Sequence, residues 1–122
     1  MDALVYSPEE EETARICEIL QAEGITARRD PLDGHGHYEY GYSIVIVAVD
    51  GARGMEIVRN WSDRYPGTQI IWISGDPYFA GVAMEKKIHD FITRPYDPDR
   101  LHQSVRRARP KCPETKTWHF GA

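Results

Sequence analysis

The stretch Ser43-Ile44-Val45-Ile46-Val47-Ala48-Val49 decides the fold. Its aliphatic, largely β-branched run has no polar alternation, which predicts a strand buried on both faces. Such strands sit in the middle of parallel sheets that carry helices on either side. Outward from this run, strand-like and helix-like periods alternate in both directions.

Toward the N-terminus, Ala3-Leu4-Val5-Tyr6 reads as a short buried strand. Ser7-Pro8-Glu9-Glu10 predicts a helix start, with Ser7 as cap, Pro8 at the first position and Glu10 closing a capping box. Ile16, Cys17, Ile19 and Leu20 then recur at helical spacing until Gly24 stops the helix. Cys17 is expected as a buried free thiol. Ile25 to Arg29 reads as a weaker strand, and its paired charges suit a sheet edge. Asp30 to Gly41 is rich in Gly, His and Tyr and yields no firm element.

Toward the C-terminus, Asp50 to Gly54 reads as a loop and Met55 to Tyr65 as an amphipathic helix, broken by Pro66-Gly67. Thr68 to Ile73 is a second buried strand, closed by Ser74-Gly75-Asp76-Pro77. Tyr78 to Lys87 predicts a helix, His89 to Thr93 a strand, and Arg94-Pro95-Tyr96 a turn. Asp97-Pro98 caps a last helix with Leu101, Val105 and Ala108 on its inner face. Right-handed crossovers between such units give a flavodoxin-like, doubly wound α/β fold: a five-stranded parallel sheet with helices on both faces. The domain spans 1–108, and 109–122 reads as a C-terminal tail or linker.

Composition narrows the function classes. The chain has 122 residues, 41% of them hydrophobic and 28% charged, which fits one domain with one compact core. A net charge of −4 gives no general drive toward nucleic acid or anionic membrane. The longest apolar run is far too short to span a bilayer, and the N-terminus lacks the pattern of a signal peptide. Cys17 and Cys112 show no metal-ligand spacing, so a reducing, cytoplasmic setting is expected.

The order of segments resembles the receiver (CheY-like) domain of bacterial response regulators. Tyr42-Ser43-Ile44-Val45-Ile46-Val47 is similar to that family's third strand, and Ile70-Ile71-Trp72-Ile73-Ser74 to its fourth. Asp90-Phe91-Ile92-Thr93-Arg94-Pro95-Tyr96-Asp97-Pro98 resembles its fifth strand and the Lys-Pro-aromatic turn that follows. The resemblance implies a pocket in which two acids and an Asp hold Mg²⁺, a Lys neutralises an acyl phosphate, and a Ser or Thr reads it.

This chain departs from that pattern at its centre. The expected acid pair falls on Tyr6 and Ser7, the phosphoacceptor position on Ala48, and the Lys on Arg94, a substitution that changes geometry. Only Ser74 and Pro95 match directly. The expectation is therefore a degenerate pocket of Tyr6, Ser7, Ala48, Asp50, Ser74, Arg94 and Pro95, with no metal and no cofactor. Asp50 is the alternative phosphoacceptor, and Mg²⁺ is expected only in that case. Ala48 and Asp50 would then point the same way, and Glu9 or Glu10 could supply acids. The blander reading gives Asp50 an Asp-Gly turn and the glutamates a capping role.

Other features carry less. Asp33-Gly34-His35-Gly36-His37 lacks the third ligand that a zinc site needs. The basic tail lacks interleaved aromatics, which disfavours nucleic acid, and the Gly51-x-x-Gly54 pair is too weak a signal to support a nucleotide site. The resemblance places Tyr78, Phe79, Arg94, Tyr96 and Arg100 near a partner surface. The expected function is a pseudo-receiver: a non-enzymatic protein-interaction module of two-component signalling. Its partner would be a histidine kinase, an output protein or a second copy. The alternatives are a phosphorylatable receiver using Asp50, and a small α/β ligand-binding domain or enzyme with its site at the strand ends.

Overall fold

The computed structural model describes residues 2–32 and 41–109. In chain order the elements are β1 (Asp2–Tyr6), α1 (Glu10–Ala22), β2 (Thr26–Arg29), β3 (Ile44–Val47), α2 (Gly51–Arg64) and β4 (Gln69–Ser74). A 3-10 turn (Pro77–Phe79) then leads into α3 (Ala80–Glu85), β5 (Asp90–Thr93) and α4 (Pro98–Ala108). The strands form one five-stranded sheet in the order β2-β1-β3-β4-β5, with every pairing parallel. The doubly wound fold expected from the sequence is the fold observed.

β3 takes the central place its composition predicts, with all of its side chains buried. Those side chains alternate between two cores, as strand geometry requires. Ile44, Ile46 and Ala48 join Ile16 and Leu20 of α1 and Leu101 and Val105 of α4. Val45, Val47 and Val49 join Val58 and Trp61 of α2 and Ala83 of α3. Paired helices therefore cover each face, and β2 and β5 are left as the edges.

Several boundaries differ from the sequence reading, each for a local reason. The N-cap of α1 is Glu9 rather than Ser7, and the helix begins at Glu10 without a side-chain cap. The Ser7 hydroxyl instead donates to the Glu9 carbonyl at 3.3 Å, and the Thr13 hydroxyl reaches the same carbonyl at 2.7 Å. The stretch 51–54 is not loop but the first turn of α2, with Gly51 at φ +75 making the corner. The helix expected from Tyr78 opens as the 3-10 turn, because Asp76 caps the Tyr78 N–H at 2.9 Å. Cys17 is half-buried rather than buried. The Asp33–His37 loop, Cys112 and the tail from 110 onward lie outside the described residues.

One carboxylate ties the ends of α1 and α4 together. Glu23 accepts hydrogen bonds from His102 Nε2 at 2.7 Å, Arg106 at 3.1 Å and Arg109 Nη1 at 2.9 Å. The bond from Arg106 acts most strongly, and with Arg109 and His102 it outweighs burial to lower the Glu23 pKa from 4.5 to about 2. A carboxyl whose folded pKa is depressed stabilises the fold above its unfolded pKa. That contribution is lost as pH falls through the folded value. The melting temperature of Glu23→Gln is thus expected to lie below wild type at neutral pH, with the gap closing between pH 4.5 and about 2. A gap that persists unchanged at the acid end would contradict the clamp.

Candidate functional site at the strand ends

The carboxyl ends of β3, β4 and β5 meet the first turn of α1 around one guanidinium. Arg94 follows β5 directly, and its main-chain N–H donates to the Ser74 carbonyl at 2.9 Å. That bond holds the arginine against the end of β4. Its side chain then spans the pocket. Nε and Nη2 donate to the two oxygens of Glu12 at 3.1 and 2.8 Å, a bidentate pair. Nη2 also reaches the Ala48 carbonyl at 3.1 Å, and Nη1 reaches Asp50 Oδ1 at 2.6 Å.

Burial divides these partners. The Glu12 side chain is 9% exposed and that of Arg94 26%, whereas Asp50 is 65% exposed. The Glu12–Arg94 pair is therefore the inner member, and its fork-to-fork geometry is the strong form of such a pair. Burial opposes the charge on Arg94, yet the bonds and charges of Glu12 and Asp50 outweigh it and raise the guanidinium pKa further. Tyr96 closes the inner side, donating its hydroxyl to Glu12 Oε2 at 2.9 Å. Burial first, and then the adjacent carboxylate, push the Tyr96 pKa up to about 12, so this hydroxyl stays a donor.

Asp50 is held from a second direction. The Gly75 N–H donates to Oδ1 at 2.9 Å, and this bond is the main cause that lowers the Asp50 pKa, followed by the charge and hydrogen bond of Arg94. Ser74 contributes as well. Its buried hydroxyl accepts the Asp76 N–H at 3.1 Å, and its own proton also favours ionised Asp50.

The residues singled out from sequence are thus only partly brought together. Ala48, Asp50, Ser74 and Arg94 converge, Ala48 through its carbonyl alone. Pro95 follows a cis peptide bond directly beside them. Tyr6 does not join the pocket. Its side chain turns to the opposite face, where its hydroxyl accepts the Trp61 Nε1 proton at 2.9 Å in the core. Ser7 is used within its own turn. Glu9 and Glu10 are exposed, and Glu10 pairs with Arg29.

The acid that does enter is Glu12, which the sequence reading passed over. A signal for it exists: 12, 16, 19 and 20 form a single helical stripe, so Glu12 extends the apolar face of α1 inward. No cluster of three or more ligating side chains suited to a metal occurs among the described residues. No described helix is long and apolar enough to cross a membrane.

The expected partner patch separates into different places. Tyr78 is 79% exposed, but Phe79 stacks on Trp72 with ring centroids 5.5 Å apart. Tyr96 belongs to the other face of the sheet, and Arg100 is engaged by Asp90 at 2.6 and 2.8 Å. Met84, 80% exposed, was not foreseen. It borders a groove of 330 Å³ between α3 and β5.

Solved structures similar to this chain include receiver domains and response regulators. The BeF3-activated receiver domain of DrrB superposes with a TM-score of 0.73 at 21% identity, covering 88% of this chain and 95% of that one. An orphan response regulator of H. pylori gives 0.75 at 18% identity, with 88% and 95% covered. A response regulator receiver domain protein from Clostridium thermocellum gives 0.72 at 20% identity, with 88% and 92% covered. No family model matches the sequence, and no curated protein matches it. At these identities the likeness establishes the receiver fold.

Proposed function

We propose that the chain is a receiver-type interaction module of two-component signalling that works without phosphotransfer. The observation that carries this reading is the Arg94 guanidinium lodged between Glu12 and Asp50. A phosphorylatable pocket needs a divalent cation and a free carboxylate nucleophile at this point. Here the side chains that could ligate a cation already neutralise an internal one. The Ala48 side chain offers no nucleophile, and Tyr6 faces the other core. On this reading the domain is not an enzyme, requires no cofactor and acts in the cytoplasm. Its output is the contact it makes with a kinase, an output protein or another copy.

The second reading keeps Asp50 as phosphoacceptor, favoured by its exposure and its ionised carboxylate beside Arg94. Incubation with acetyl phosphate and Mg²⁺ followed by intact-mass measurement separates the two. The expected result is no phosphoryl adduct on wild type and no change in stability on adding Mg²⁺. An adduct that is lost in Asp50→Ala would overturn the proposal and establish a working phospho-switch.

A further inference from the structure

α1 and α4 lie side by side and run in the same direction. Tyr96, just ahead of α4, bonds Glu12 in the first turn of α1, and Glu23 at the far end of α1 bonds His102, Arg106 and Arg109. Leu101, Val105 and Ala108 form the inner stripe of α4. On the opposite side Asp99, Gln103 and Arg106 follow at i, i+4 and i+7 and make one exposed ridge. The Arg106 side chain is 63% exposed although Glu23 holds its Nε and Nη2. This ridge is not the side of α4 that faces β5, where Asp90 pairs with Arg100 at 2.6 Å and lies 4.0 Å from Arg107. An acid at the start of a helix and a base at its end also suit the helix dipole. The dipole does not call for the spacing: a neutral Gln103 with the acid four residues before it and the base three residues after it.

We infer that two copies of the chain meet on this ridge, as a two-fold pair of antiparallel α4 helices centred on Gln103. The inference rests on the reading of the chain as an interaction module and deepens it by naming the partner and the face. A two-fold contact is self-complementary, so whatever one copy offers the other must answer at the mirrored position. At about 1.5 Å of rise per residue, Asp99 and Arg106 stand about 6 and 4.5 Å along the axis from Gln103 on opposite sides. Antiparallel pairing therefore sets Asp99 of each copy against Arg106 of the other and brings the two Gln103 amides together at the axis. Parallel pairing sets acid against acid and base against base, and such like-charge contacts suppress that arrangement. The ridge carries no apolar side chain, so the contact is weak and gives way as salt screens it.

The test is sedimentation equilibrium of the whole chain up to millimolar concentration, for wild type, Asp99→Lys, Arg106→Glu and an equimolar mixture of the two variants. Wild type is expected to dimerise, with an association constant that falls by about tenfold or more between about 10 mM and 500 mM sodium chloride. Each variant alone is expected to be monomeric, since like charges then face each other at both contacts. The mixture is expected to dimerise again, because both contacts regain opposite charges. Gln103→Lys, which puts two cations at the axis and leaves the Glu23 bonds in place, serves if Arg106→Glu does not fold. A wild type that stays monomeric throughout overturns the inference. So does a dimer that ignores salt, that survives the charge reversals, or that fails to return in the mixture. The outcome is separable from that of the acetyl phosphate experiment. A phosphoryl adduct removes the proposed function and leaves the association as measured, whereas a monomer removes the α4 contact and leaves the pocket as it is.

Discussion

Replacing Arg94 with methionine is expected to lower the unfolding free energy by about 3 kcal/mol, the low end for breaking a buried ion pair. The loss comes less from the missing attraction than from what remains. Glu12, with a side chain 9% exposed, keeps the Tyr96 hydroxyl but loses both guanidinium bonds. Arg94 is 26% exposed, so water reaches part of the gap and holds the cost to that lower value. Against a total stability of roughly 5–15 kcal/mol for a domain, this is a large fraction. Urea unfolding checks it as a lower midpoint with an unchanged slope. Glu12→Gln/Arg94→Met should recover much of the loss, because the stranded charge is gone. A single variant within about 0.5 kcal/mol of wild type, the range of ordinary surface changes, would show that the pair carries no weight.

Gly54→Ala is expected to destabilise by about 3 kcal/mol or more, through overpacking against a backbone that cannot turn aside. In an ordinary helix interior the same change gains about 0.5–1 kcal/mol. At Gly54 a Cβ would lie 1.9 Å from the Val49 carbonyl oxygen and 2.9 Å from its carbon. Relief requires moving either the first turn of α2 or the end of β3, and the latter leads straight into Asp50. Gly81 in α3 is the internal control, since nothing lies within 4 Å of the position its methyl group would take. Gly81→Ala should raise the melting temperature and Gly54→Ala should lower it. Equal shifts in one direction would mean that α2 does not press on β3 as described.

The fold was legible because its decisive elements are long apolar runs whose burial follows from composition alone. Ile44 to Val47 could only be central, and the charged Arg28 and Arg29 could only suit an edge. The site was less legible because its geometry depends on which way single residues turn. Tyr6 sits where the resemblance looks for an acid, but strand alternation sends its ring to the α2 face. Glu12 looks like one of four consecutive glutamates until the register of α1 places it on the inner stripe. The glycines of the 51–54 segment suggest a loop, whereas one of them turns the corner and another permits close packing. In each case the register of the element decided which way the residue turned, and residue type alone did not.

The bond between Trp61 and Tyr6 bears on which residues position 6 can accept. A tyrosine that holds a buried indole N–H at 2.9 Å is expensive to exchange for a carboxylate. Such a step removes the acceptor of that N–H, opens a cavity the size of an aromatic ring and brings a charge into the core. Nothing is gained in return until Ala48 and Arg94 have changed too. On the proposed reading, a phosphorylatable pocket cannot be installed here by changing one residue at a time.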